Sequence, residues 1–349
     1  MQSHLRLILT ALVRDNGKGV LVACLVFALV VLISAGCASE GDSPENDDRP
    51  AKFTQSEAAD CHRPYTSSSP WNTPLDPTPT YHRESDSYVD ELDGKLTSDP
   101  TQYTSPVYEV SQETPRVTVD LSGRFSDVSR GGSVLEILDL ESVDLPIPEE
   151  AEPAEGSDAK IILLDPATGD EWGLWKLERN GDSNWSAVNG YHYNIRWSGV
   201  PPRDPSGRPF HSRGAGVPYL AGLVRLCEVA RGRIDHALAF AYDYPSDAYV
   251  YPAAKSDGVG DASDLPEGAR LQLDPELTDG EIREWGCRGP CLTIARALQE
   301  YGMYVIDNSG RPKIMLEYES TAGWNGRVDA ETVNPIPLSA FKVIEPPRE

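Results

Sequence analysis

From about residue 105 onward the chain is written in short apolar runs, each stopped within a few residues by glycine, proline or aspartate. PVYEVSQ, RVTVDL and KIILLD come first. They have the alternation or the brief continuous run that suits a pleated strand rather than a helix. IILLD-PATGD-EWGLWKLE is the clearest hairpin, two β-rich runs joined by residues that tight turns favour. NWSAVNGYHYNIRWSGV continues the sheet with aromatic and β-branched residues at strand spacing. Between these runs, ESVDLPIPEEAEPAEGSD (141–158) is acidic and proline-rich and reads as a surface connection.

The second half is mixed. PYLAGLVRLCEVARG (218–232) carries Leu220, Leu223, Val224 and Cys227 at helical spacing and ends at Gly232, so a helix is expected there. RIDHALAFAYDY reads as a buried strand, and SDAYVYPAA and ARLQLDP as two more. CLTIARALQEYG (291–302) is the best helix, with Leu292, Ile294, Ala295 and Leu298 on one face. MYVIDNSGRPKIMLEYES is expected to form a hairpin turned at Asn308-Ser309-Gly310, and SDSYVDELDGKL (85–96) a short helix. No repeat of solenoid period is visible. The expected fold is mainly β, a β-rich α+β sandwich or jelly-roll-like single domain over residues 61–349 with a few short helices.

Residues 20–37, VLVACLVFALVVLISAGC, are an apolar run too short for a comfortable span, preceded by Arg6, Arg14 and Lys18. The arrangement resembles a bacterial lipoprotein signal peptide over residues 1–36, in which Cys37 is lipidated and becomes the first mature residue. Ser34 stands where that pattern usually has Leu, Val or Ile. The alternative is an uncleaved N-terminal anchor. Either way the remainder works outside the cytoplasm, and the lipoprotein reading puts it on the extracellular face of the cell membrane. Residues 37–60 read as a disordered acidic tether.

Two further inferences come from composition. The formal charge of −24 repels nucleic acid and anionic headgroups, and would repel polyanionic substrates unless a local basic pocket intervened. Cys61, Cys227, Cys287 and Cys291 form an even set for an oxidising compartment. Cys287 and Cys291 bracket a short loop that a bridge closes readily, which leaves Cys61 for Cys227. A zinc site at Cys287 and Cys291 would need further Cys or His at motif spacing, and none follows.

RGAGVPYLAGLVRLCEVARGRIDHALAF (213–240), SPWNTPL (69–75), LPIPEEAEPAEGSDAKIILLDPATGDEWGLW (145–175) and ARALQEYGMYVIDNSGRPKIMLEYE (295–319) look like segments of an uncharacterised family of secreted bacterial proteins. They run in the order found in that group. The resemblance implies one continuous secreted domain and brings no activity with it.

Candidate chemistry rests on few residues. No GxSxG elbow, HExxH, Walker loop or GxGxxG opening a helix is present, so neither cofactor nor metal is expected. Of the histidines after the leader (His62, His82, His192, His211 and His236), His236 interrupts the apolar strand IDHALAFAY and is the candidate proton shuttle. The loop Lys255-Ser256-Asp257-Gly258 offers Asp257 as its catalytic partner and Lys255 as a binding group. Arg213, in a glycine-rich bend, could clamp a carboxylate or hydroxyls, and Asp307 lies in a polar turn. Trp172, Trp175, Trp185, Trp197, Tyr191 and Tyr193 cluster in one stretch, and Trp175 and Trp197 are the candidate sugar-stacking rings. Glu171 and Glu317 are carboxylates on strands beside aromatics. The expectation is a cell-surface lipoprotein that acts on or binds extracellular polysaccharide, as a glycoside hydrolase or lyase. The alternatives are non-catalytic glycan binding or adhesion and a structural envelope role.

Overall fold

The structure is a computed structural model that describes residues 53–59, 61–181 and 184–347. The leader expected over 1–36 and the lipid site Cys37 lie outside the described residues. No described helix is long and apolar enough to cross a membrane.

Ten strands fill the first half: β1 (Val107–Glu109), β2 (Arg116–Leu121), β3 (Phe125–Ser129), β4 (Val134–Leu138), β5 (Ser142–Pro146), β6 (Ile161–Asp165), β7 (Asp170–Trp175), β8 (Glu178–Arg179), β9 (Trp185–Ala187) and β10 (Asn189–Asn194). They form a six-stranded sheet ordered β1-β6-β7-β10-β3-β4 and a four-stranded one ordered β5-β2-β9-β8. The β6–β7 hairpin is present, antiparallel from Ile161↔Leu174 to Asp165↔Asp170. The second half supplies β11 (Leu238–Tyr242), β12 (Ser246–Tyr249), β13 (Pro266–Glu267), β14 (Arg270–Leu273), β15 (Met303–Asn308), β16 (Lys313–Ile314) and β17 (Phe341–Val343). Five of them make the sheet β16-β11-β15-β14-β17, and β12 pairs with β13. Helices α1 (Ser85–Asp90), α2 (Leu226–Ala230), α3 (Asp279–Glu284), α4 (Pro290–Glu300) and α5 (Glu319–Ala322) complete the chain.

The period of two explains how the sheets stack. On β6, Ile161 and Leu163 pack against Val119, Leu145 and Trp185 of the four-stranded sheet. Ile162 and Leu164 face the other way, into a core shared with Ala239 and Ala241 of β11 and Ile306 of β15. Leu238 and Phe240 of β11 point outward again, under α4 residues Ile294 and Leu298. Both inner sheets are therefore covered on two faces, which is why β6 and β11 read as continuous apolar runs. Each large apolar side chain so enclosed contributes roughly 1.5–3 kcal/mol. The mainly β, sandwich-like expectation holds.

Three local expectations fail. The helix expected over 218–232 shrinks to α2. Gly222 has φ +72 and abuts the backbone of Leu238 and Ala239, an approach no helix with side chains permits. Val224 instead pairs with Leu316 as an isolated bridge. The hairpin expected over 303–319 is absent as well. β15 runs parallel to β11 (Leu238↔Met303) while β16 runs antiparallel to it (Phe240↔Ile314), so β11 lies between them. The Ser309 N–H donates to the Tyr242 carbonyl, carrying the turn over the end of β11. Finally, the tether expected to reach residue 60 ends earlier. Glu57 pairs with Arg327 at 2.7 Å and Phe53 lies under the Arg327 guanidinium at 4.4 Å, so the docked chain includes residues 53–59.

The disulfides are Cys61–Cys227 and Cys287–Cys291, as the sequence led us to expect.

Candidate functional site

At the C-terminal end of β15, the five-stranded sheet meets the start of β6, the end of β7 and the start of β10 from the six-stranded sheet. The junction holds a cleft of about 240 Å3 lined by Lys160, Trp175, Arg213, Lys255, Asp257 and Asp307, among others. The RGAG bend is fixed there by main-chain bonds: Ala215 N–H to the Ile306 carbonyl (2.9 Å) and Ala254 N–H to the Ala215 carbonyl (2.8 Å). The second bond also seats the 255–257 loop. The Gly214 N–H donates to Asp307 Oδ1 at 3.3 Å. A Cβ at Gly214 would collide with the carboxyls of both Asp257 and Glu267, so any side chain there would displace that pair.

Lys160 anchors the middle of the cleft. Its ammonium is 2.9 Å from Asp158 Oδ2 and 3.3 Å from Asp307 Oδ2, and 5.7 Å from the centre of the Tyr219 ring. Burial alone would lower its pKa, but the two carboxylates outweigh burial and raise it above the ordinary lysine value. Asp158 is oriented in turn by the Trp175 indole N–H, at 3.2 Å.

Behind Asp257 stands Glu267, 0% exposed. No N–H or hydroxyl donor among the described residues reaches either of its oxygens. A buried carboxylate in that state is costly, and the remedy is a proton. Burial, the hydrogen bond to Asp257 and the charges of Asp257 and Asp307 together push Glu267 up to about 10. Glu267 is thus a neutral acid donating to Asp257. For Asp257, burial and then the neighbouring Asp307 raise the pKa, while the hydrogen bond from Glu267 works against them and the net shift is upward. Asp257 opens on the cleft as a carboxylate of raised basicity.

Next to this cleft lies a second hollow of about 400 Å3, lined by Tyr103, Asn308, Ser309, Gly310 and Met315 and sharing Asp158, Lys160 and Asp307 with the first. Tyr103 is 50% exposed and holds a left-handed backbone, φ +48, uncommon for a residue with a side chain. The buried Lys313 ammonium donates to the carbonyls of Gln102 and Tyr103 and fixes that conformation. Burial pushes Lys313 down to about 8.

Five of the seven candidate site residues therefore converge on one cleft: Asp257, Arg213, Lys255, Trp175 and Asp307. The other two do not. His236 is 2% exposed, with Nε2 3.0 Å from Glu228 Oε1 and Nδ1 2.9 Å from the Ala237 carbonyl. It is a core group and not the proton shuttle expected of it. It lies in the bend two residues before β11, and its apolar surroundings tolerate it because a buried carboxylate pairs with it. Trp197 packs edge-on against Tyr193 at 5.2 Å and over Gly132. The aromatic cluster divides in the same way. Tyr191, Tyr193 and Trp185 are core, Trp172 stacks on His192 at 5.5 Å, and only Trp175 reaches the cleft. Glu171 is sealed beneath the hydroxyls of Tyr191 (2.6 Å) and Tyr65 (3.3 Å), and Glu317 pairs with Arg225 at 2.6 Å.

Sequence reasoning missed Asp158, Lys160 and Glu267. The first two sit at the end of an acidic stretch that reads as surface, where a lone lysine before a buried strand was the only signal. Glu267 lies in a two-residue strand with no pattern of its own. No family model, curated protein or solved structure matches the chain.

Proposed function

We propose that this domain binds extracellular polysaccharide in the Lys160–Asp257 cleft and cleaves it by acid–base chemistry, with Asp257 as the base. The observation that carries the reading is the Asp257–Glu267 carboxyl pair, an open carboxylate of raised pKa with a neutral acid sealed behind it. Paired carboxyl groups whose environments push them apart are a recurrent arrangement for proton transfer at glycosidic bonds. The surroundings suit a sugar. Trp175 offers a ring at the wall, Asn189 and Ser212 offer hydroxyl-binding groups, and the cleft runs on into the Tyr103 hollow. A lipid on Cys37, which the resemblance of the leader to a lipoprotein signal peptide implies, would hold the domain at the cell surface, where such polymers are met.

The test is turnover of full-length protein against a panel of polysaccharides, with the products weighed by mass spectrometry. Hydrolysis adds one water across each broken bond and elimination adds none, so the masses also decide between hydrolase and lyase. Asp257→Asn should reduce turnover by roughly 100-fold or more. A fully active, folded Asp257→Asn protein would remove the base from the mechanism. Polymer binding without any product would leave the glycan-binding part of the reading and discard cleavage.

A further inference from the structure

We infer that the domain has a second ligand site, apart from the cleft, for a small organic molecule built on a flat apolar ring and carrying one negative charge. This site does not depend on the glycan reading. It is a hollow of about 400 Å3 lined by Pro70, Tyr251, Arg270, Tyr304, Pro346 and Pro347, among others, and it shares no lining residue with the cleft. Tyr304 stands near the start of β15 and Asp307 near its end, so hollow and cleft lie toward opposite ends of that strand.

Arg270 is the anchor of the hollow. Nε donates to the Tyr301 carbonyl at 2.8 Å, and Nη2 donates to the carbonyls of Thr73 (2.8 Å) and Tyr301 (2.5 Å). The guanidinium also lies 5.0 Å from the centre of the Tyr304 ring. These contacts hold the group in place without cancelling its charge. Burial lowers its pKa, and Tyr304 is the only group that acts against burial. Glu345, the one carboxylate in the lining, is exposed and makes no ion pair with Arg270 among the described residues. The remaining arm, Nη1, has no acceptor among the described residues and is not sealed from solvent. In a chain of net charge −24, a half-buried guanidinium without a counter-ion is costly, and an anion in the hollow relieves that cost. The Tyr304 hydroxyl, whose bond to the Pro70 carbonyl is a long 3.5 Å, is a second donor on the same wall. The other walls select the body of the ligand. Two tyrosine and three proline rings face the hollow, and Tyr251 is 45% exposed. The hydroxyls present are already engaged, Thr73 Oγ1 with the Ser69 carbonyl (2.8 Å) and Ser68 Oγ with Thr66 Oγ1 (3.3 Å). A sugar would leave its own hydroxyls unpaired here, whereas a flat apolar ring packs on tyrosine and proline faces. Repulsion by the acidic exterior is screened beyond about 8 Å at physiological salt.

Full-length protein carrying isotope-labelled glycine is titrated by NMR with trans-cinnamate, styrenesulfonate, methyl cinnamate and hexanoate. The Gly268 amide reports on the hollow and the Gly214 amide on the cleft. Gly268 should shift and Gly214 should not. Both ring anions should bind about tenfold tighter or more than the methyl ester, which keeps the ring without the charge, and tighter than hexanoate, which keeps the charge without the ring. Cinnamate against styrenesulfonate distinguishes a carboxylate from a sulfonate headgroup. The preference for the anions over the ester should be lost in Arg270→Gln. Tyr304→Phe, which keeps the ring beside the guanidinium and removes one donor, should weaken the anions by about threefold or more and leave the ester unchanged. No shift at Gly268, equal binding of anions and ester, equal binding of hexanoate, or a preference intact in folded Arg270→Gln overturns the inference. Should Arg270→Gln fail to fold, the wild-type comparison and Tyr304→Phe decide it.

Discussion

Glu267 stands directly behind Asp257, sealed from solvent, while Asp257 opens on the cleft, and the proton that makes their contact tolerable resides on the hidden partner. Asp257 can therefore accept a second proton from the cleft side without placing two negative charges at the base of the site. Gly214 is the third member of the arrangement, because it leaves the space in which the two carboxyls meet.

The hidden proton has a signature in stability. The folded value for Glu267, about 10, lies above its ordinary 4.5, so across that window the folded chain binds a proton that the unfolded chain releases. Stability from this group is full below 4.5 and is lost as pH rises toward about 10, by up to about 1.4 kcal/mol per pH unit. Glu267→Gln should flatten that slope in urea unfolding experiments run across the window. A variant with the wild-type slope would show that the proton is held elsewhere.

The His236–Glu228 pair is expected to govern folding and not turnover. Burial alone would lower His236, and Glu228 at 3.0 Å reverses that and raises it; burial alone would raise Glu228, and His236 lowers it. The histidine's contribution is present below 6.5 and lost as pH climbs through its raised value. The glutamate's is present above 4.5 and lost as pH falls through its lowered one. Replacing either residue by Gln should cost about 3–5 kcal/mol, and replacing both should cost less than the two single changes added together. A nearly neutral single substitution would contradict a buried ion pair.

Two other histidines should titrate far apart in an NMR pH series. His192 lies between Asp127 (2.8 Å) and Asp170 (3.1 Å); burial opposes its protonation, but these partners push it up to about 9. His211 should titrate below 6.5. Lys255→Met should raise the His211 midpoint and leave His192 unmoved. Coincident midpoints for the two rings would show that the cleft lacks the positive field assigned to Lys255.

Tyr103 should matter only for longer ligands. Its ring stands at the hollow beyond Lys160, so Tyr103→Ala should weaken binding of oligosaccharides that span both hollows by roughly 5- to 30-fold and leave short ones unaffected. Equal losses for short and long oligomers would mean that the hollow is not a separate subsite.

The architecture was readable wherever the pattern was local. The short continuous apolar runs of β6 and β11, the turn residues between β6 and β7 and the apolar face of α4 each set their own element. Pairing that spans the chain was not readable. β16 prefers the edge of β11 to its neighbour β15 because β11 arrives from sixty residues upstream with that edge free, and no local pattern encodes it. The site followed the same division. Arg213, Lys255 and Asp257 were visible as polar residues in glycine-bearing loops, where an apolar explanation was missing. His236 drew attention for a sound reason, since a polar group in an apolar strand needs a partner. That partner, Glu228, lies on α2 facing inward and makes the residue structural.

The Cys61–Cys227 bridge also has a mechanical meaning. It joins the chain just after the docked 53–59 segment to α2, whose Glu228 is locked to His236 beside β11. A pull on the chain upstream of Cys61 is carried by covalent bonds into that helix and the five-stranded sheet beneath it. Residues 61–84, docked through main-chain bonds such as Tyr65 N–H to the Ile195 carbonyl, Leu75 N–H to the Glu300 carbonyl and His82 N–H to the Val343 carbonyl, are bypassed by the load instead of being peeled away first. The cleft, whose Lys255 and Asp257 reach β15 through the RGAG bend, lies off that line of force and should keep its shape while the domain is under tension.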